Sequence, residues 1–154
     1  MKLEVLDVLN KKLVFLNENF NNANELFDFV GAKTKELDLA KNSYVDALKK
    51  RESDFPTAIQ FNDVGVAIPH ADSEHIKNEF IALVTLDEPI KFKAMEDSDQ
   101  EIEVTIVFVL GLLKANDQLE TLQAIVKLLQ EKNALNLLND ADNINDVIDA
   151  LNDL

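Results

Sequence analysis

The chain has 154 residues, 47% of them hydrophobic and 29% charged, which is enough for one domain built around one core. A formal charge of −14 argues against nucleic acid or an anionic membrane as partner, because neutralising phosphates takes clustered Lys and Arg; it suits a basic protein partner, with solubility alone as the plain alternative. Without cysteine the chain has no disulfide framework, no thiolate nucleophile and no cysteine metal site.

In chain order, "MKLEVLDVLNKKL" has acidic residues inside its apolar stretch and no small-residue cleavage site, so no signal peptide is expected. Residues 12–16 (KLVFL) read as a short strand. A helix is expected over 21–38, with Leu26, Phe27, Val30 and Leu37 at near-helical spacing and Asn22 or Asn24 as its cap. A second is expected over 42–55, capped by Asn42 or Ser43 and closed by Lys49, Lys50 and Arg51, whose charges favour the negative end of the helix dipole. After Pro56 the period changes. Residues 57–61, 66–68, 80–86, 90–92 and 102–113 are rich in β-branched and aromatic residues and bounded by turn clusters. "VTIVFVLGLL" (104–113) is about half the length needed to span a bilayer and reads as a buried strand. Helical period returns over 116–132, capped by Asn116 or Asp117, and one or two short helices finish the chain. Helices on both sides of a strand block predict a single α/β domain over 1–154, a mixed sheet of about five strands sandwiched by helices on both faces. An intracellular, cytoplasmic location is the simplest expectation.

Both histidines, His70 and His75, fall within "VAIPHADSEH" (66–75). Pro69 fixes the backbone entering His70 and pushes Ile68 to extended geometry, so His70 stands at a strand tip, held yet accessible. That suits a nucleophile or a general base; a surface histidine without a role is the bland alternative. Metal ligation by His70 and His75 would need helical spacing that Pro69 argues against, and Asp72 and Glu74 read equally well as turn and cap residues. No G-x-S-x-G elbow supports a serine hydrolase.

"RESDFPTAIQFNDVGVAIPHAD" (51–72) resembles the active-site segment of the enzyme IIA components of the phosphoenolpyruvate-dependent sugar phosphotransferase system, in the fructose and mannitol superfamily. The likeness rests on R-E, a P-T pair and a short strand ending in I-A-[IV]-P-H. It continues through L-x-x-P-I-x-F ("LDEPIKF"), an acidic loop, the long apolar strand and the helix that follows, and so covers essentially the whole chain. The longer turn "QFNDVG", and Gln118 where mannitol-type members carry a second histidine, make it most similar to the galactitol type.

The resemblance implies that His70 accepts a phosphoryl group on Nε2 from the phosphohistidine of HPr. His70 then passes it to a cysteine of the cognate enzyme IIB, which works with a membrane IIC. Nδ1–H would donate to a backbone carbonyl of the 70s loop. Arg51 would fork onto the phosphoryl oxygens, beside its plain role at a helix end. Thr57 would donate its hydroxyl to the phosphate, or merely start a strand. Gln118 at a helix N-terminus would supply a neutral donor. Phe55, Ile59 and Leu119 are candidates for the apolar part of the dock, while His75, Asp72 and Glu74 stay as surface turn residues. No cofactor, metal, nucleic acid or membrane insertion is implied. The competing reading is a nitrogen-branch type of regulatory IIA protein that acts by phosphorylation-dependent binding.

Overall fold

The computed structural model describes residues 9–152. The residues read for a signal peptide fall largely outside these, as do residues 153 and 154, where the last expected helical segment ends. Five strands form one mixed sheet in the order β1-β4-β5-β3-β2. They are β1 (Leu9–Glu18), β2 (Ile59–Phe61), β3 (Val64–Ala67), β4 (Phe80–Lys93) and β5 (Glu101–Gly111). β1 runs parallel to β4 and β3 parallel to β5, while β4 with β5 and β2 with β3 are antiparallel. Helices α1 (Ala23–Glu36) and α2 (Tyr44–Asp54) precede β2; α3 (Ala115–Leu129), α4 (Lys132–Asn139) and α5 (Ile144–Asn152) follow β5.

The expected sandwich is what forms, and side-chain alternation along the central strands builds it. On β4, Ile81 and Leu83 face a core completed by Ile125, Leu128 and Leu135 of α3 and α4, together with Val147 of α5. Their neighbours Phe80, Ala82 and Val84 face the opposite core, closed by Leu26, Phe27 and Val30 of α1 and Tyr44 and Leu48 of α2. From Ile106 to Gly111 β5 is buried on both faces, which is why that stretch is apolar at every position. No helix among the described residues is long and apolar enough to cross a membrane.

Three boundaries differ from expectation. Residues 80–86 and 90–92 form one strand, β4; its register shift against β5 between Thr85 and Ile90 accommodates Pro89, which cannot donate to the ladder. Ser43 makes no cap bond to α2, because its hydroxyl is engaged by His75. α3 begins at Ala115 with Lys114 in the cap position, so Asn116 and Asp117 lie inside its first turn. Asn22 does cap α1, accepting from the Glu25 N–H at 2.9 Å.

Two local features aim the end of β3. Asn62 takes a left-handed φ of 53° in the tight β2–β3 turn, a conformation that asparagine tolerates well. At Gly65 an added Cβ would stand 2.1 Å from the Glu103 carbonyl oxygen, so only glycine lets β3 approach β5 this closely.

Candidate active site

β3 ends at Ala67, and Ile68 and Pro69 carry the chain on, beside β5, to His70. The Pro69 carbonyl accepts from the Leu110 N–H at 2.9 Å, and His70 makes an isolated parallel bridge to Leu110. The Leu110 carbonyl in turn accepts from the buried Tyr44 hydroxyl at 2.9 Å. The first residue of α2 therefore bolts the strand end against which His70 is placed.

His70 Nδ1 lies 3.0 Å from the Ile68 carbonyl oxygen. A carbonyl only accepts, so Nδ1 carries the hydrogen, and in the neutral ring Nε2 keeps its lone pair. The partner is thus on the strand side of the histidine and not in the 70s loop. Burial pushes the His70 pKa below its usual 6.5; the Ile68 bond opposes this, Arg51 adds to it and Asp72 opposes it. That keeps the imidazole mostly neutral at pH 7.

His70 opens into a cleft of about 400 Å³ that it shares with Arg51, Asp72, Ser73 and Gln118, walled by Leu119 and Leu122. Arg51 comes from the last turn of α2, so its charge also complements the helix dipole. Its guanidinium stacks 4.7 Å from the centre of the exposed Phe55 ring, and its Nε is buried without a hydrogen-bond partner. No carboxylate pairs with Arg51 among the described residues, which leaves an oriented cationic fork facing the cleft unclaimed. Gln118 reaches the same cleft from the first turns of α3, where the positive end of the helix dipole favours anions.

The sequence expectation for Thr57 needs correction. Thr57 is 2% exposed and does not line the cleft; its hydroxyl donates to Glu52 Oε1 at 2.8 Å and accepts from the Ile68 N–H at 3.0 Å. It has no hydrogen left for a phosphate. Asp72, expected as a plain turn residue, stands in the cleft beside His70. His75 turns away: its Nδ1 is 2.7 Å from the Ser43 hydroxyl, and it lines a neighbouring groove of about 520 Å³. Of the docking candidates, Phe55 and Leu119 are exposed, whereas Ile59 packs against the core.

Sequence reasoning missed Glu52. Its Oε2 accepts the Thr57 N–H and its Oε1 the Thr57 hydroxyl, both at 2.8 Å. Burial pushes its pKa from 4.5 up to about 7, although both Thr57 bonds pull the other way. Between those two values the folded protein holds the proton more firmly than the unfolded chain, so this group's contribution to stability declines as pH rises from 4.5 to about 7 and levels off above. The difference in unfolding free energy between the wild type and Glu52→Gln, read from urea denaturation, is expected to follow that window, by at most about 3 kcal/mol. The contribution of His70, which is lost as pH falls below 6.5, is common to both proteins and cancels.

The family model of the phosphoenolpyruvate-dependent sugar phosphotransferase system, EIIA 2, matches residues 7–154. The chain is 26% identical over 120 residues to the galactitol-specific EIIA component of Escherichia coli strain K12, covering 78% of this chain and 79% of that one. IIA mannitol from Escherichia coli has the same fold, with a TM-score of 0.76 at 18% identity over 93% of this chain and 98% of that one. In the complex of enzyme IIA and phosphorylated enzyme IIB for mannitol from Escherichia coli, the matching chain gives a TM-score of 0.78 at 17% identity over 94% and 96%.

Proposed function

We propose that the chain, which belongs to the EIIA 2 family of the phosphoenolpyruvate-dependent sugar phosphotransferase system, is a phosphocarrier working through His70. One observation carries the reading: the Ile68 carbonyl takes the Nδ1 hydrogen, leaving the Nε2 lone pair on the ring that shares a cleft with the unclaimed guanidinium of Arg51. Nε2 attacks the phosphorus of phospho-HPr; a new N–P bond forms as the donor's N–P bond breaks. In the second step the thiolate of the IIB cysteine attacks, an S–P bond forms, and the electron pair returns to Nε2.

Phosphoryl transfer is mainly positioning and charge stabilisation, and a relay must also let go. Arg51 stabilises the three oxygens, while Asp72 in the same cleft opposes their charge. That balance keeps the phosphorylated state from becoming a trap, since equal stabilisation of intermediate and transition state lowers no barrier. The charge of −14 favours encounter with a basic donor such as HPr. Galactitol is the proposed sugar. It is supported by the galactitol-specific relative, the longer segment between Thr57 and His70, which the structure closes with a tight turn at Asn62 and Asp63, and Gln118 in place of a second histidine. The carrier does not itself touch the sugar, so that choice rests on which IIB accepts.

The test is labelling with phosphoenolpyruvate, enzyme I and HPr, followed by a chase with galactitol-type and mannitol-type IIB proteins. Acid-labile label that moves to the galactitol-type IIB is expected; no label on the carrier would contradict the reading.

Gln118 gives a prediction testable in both directions. Gln118→Ala removes a hydrogen bond worth about 0.5 to 3 kcal/mol, so transfer from phospho-HPr should slow by roughly threefold to a hundredfold. Gln118→His should keep more activity and gain a pH dependence between about pH 6 and 8. Identical rates and pH profiles for the three proteins would remove Gln118 from the site.

A further inference from the structure

Four hydrogen bonds run without a break from the helix that carries Arg51 to the histidine ring. Glu52 accepts from the Thr57 N–H and hydroxyl, each at 2.8 Å; Thr57 Oγ1 accepts from the Ile68 N–H at 3.0 Å; and the Ile68 carbonyl accepts from His70 Nδ1–H at 3.0 Å. Ile68 is fully buried, and Pro69 follows it with φ fixed by its ring. Ile68 thus has one polar anchor on each side, one facing Thr57 and the other facing His70. From this geometry we infer that Glu52 and Thr57 are positioning residues for the phosphoryl relay: they fix Ile68, and Ile68 fixes the tautomer and direction of the His70 ring. The inference rests on the phosphocarrier reading and assigns Thr57 a task away from the phosphate.

The network has a preferred charge state. Ionised Glu52 has only acceptors and can take both Thr57 donors, which leaves the Thr57 lone pairs to receive the Ile68 N–H. Protonated Glu52 carries a hydrogen of its own and accepts more weakly, so its two bonds from Thr57 loosen. Burial brings that change to about pH 7. The charged groups sharing a cleft with Glu52 are Lys49 of α2, Lys91 and Lys93 of β4, and Glu101 of β5, with Lys49 already paired to Asp28 at 2.7 Å. Arg51 and Asp72 are the charged groups acting on His70, whose own titration lies below 6.5 and so apart from that of Glu52. Transfer should therefore rise with pH through about 7 as Glu52 ionises.

The experiment compares the wild type with Glu52→Gln, Thr57→Val and Thr57→Ser. It has two readouts: ¹⁵N NMR of the His70 ring in the unphosphorylated protein, and the rate of transfer from phospho-HPr between about pH 5.5 and 8.5. The wild type should show a single Nδ1–H tautomer and a rate step near pH 7. Thr57→Val should mix the tautomers and slow transfer by about tenfold, while Thr57→Ser restores both. Glu52→Gln should lose the step. Should Thr57→Val fail to fold, the Glu52→Gln and Thr57→Ser proteins decide alone. An unchanged tautomer with an unchanged pH profile in Glu52→Gln would overturn the inference, even if its thermal stability falls. Absence of labelling in the wild type would instead overturn the phosphocarrier reading, and the tautomer measurement, which needs no donor, separates the two failures.

Discussion

His70→Ala should take up no phosphate from phospho-HPr, whereas His75→Ala should label to the same extent as the wild type. The two rings differ in surroundings rather than in chemistry. His70 shares a cleft with Arg51 and Gln118 and has its Nδ1 hydrogen held by a carbonyl, so its free nitrogen is the nucleophilic one. His75 lies outside that cleft and bonds Ser43 at 2.7 Å, tying the turn to the start of α2. Its loss should cost about 1 kcal/mol of stability, seen as a lowered melting temperature, without touching transfer. Intact-mass measurement after incubation with phosphoenolpyruvate, enzyme I and HPr reads the outcome directly. Acid-labile label retained by His70→Ala would contradict the assignment.

Arg51→Ala should slow transfer by roughly ten- to a hundredfold, the rate equivalent of about 1.5 to 3 kcal/mol for a hydrogen bond to a charged group. Folding should change little, because no ion pair or hydrogen bond holds the side chain among the described residues. The stacking on the exposed Phe55 ring is worth only about 0.5 to 1 kcal/mol. Arg51→Lys keeps the charge but loses the planar fork, so its rate should fall between those of wild type and Arg51→Ala. Single-turnover labelling alongside thermal melts checks both parts. If both variants stay within about twofold of the wild-type rate, which is about 0.4 kcal/mol, the clamp role is wrong.

Much of this was legible in the sequence because its signals are local. The switch from helical to alternating period, the Asn22 cap and the apolar run from Ile106 to Gly111 in β5 each report on their own segment, and together they give the sandwich. Pro69 likewise marks the end of a strand wherever the strand lies. What was not legible depends on neighbours brought close by folding. Pro89 looks like a strand boundary in the sequence, yet β4 runs through it because a register shift against β5 absorbs the missing donor. Ser43 looks like a cap, but its hydroxyl is taken by His75, 32 residues on along the chain. Thr57 looks like a phosphate donor because it sits in the right motif. Its hydroxyl is instead spent on Glu52 and on a backbone N–H eleven residues away, at Ile68. Glu52 belongs to the R-E pair that carries the resemblance and Asp72 closes the same segment, but nothing in the sequence says that one bonds Thr57 and the other enters the cleft of His70.

The central claim is that Nε2 of His70 carries the phosphoryl group because Nδ1 is committed to the Ile68 carbonyl. Phosphorus–nitrogen correlation NMR on the ¹⁵N-labelled protein, phosphorylated in place by phosphoenolpyruvate, enzyme I and HPr, tests it most directly. The expected result is one phosphorus coupled to Nε2 of His70, with Nδ1 still protonated. A phosphorus on Nδ1, on His75 or on any other residue would contradict it.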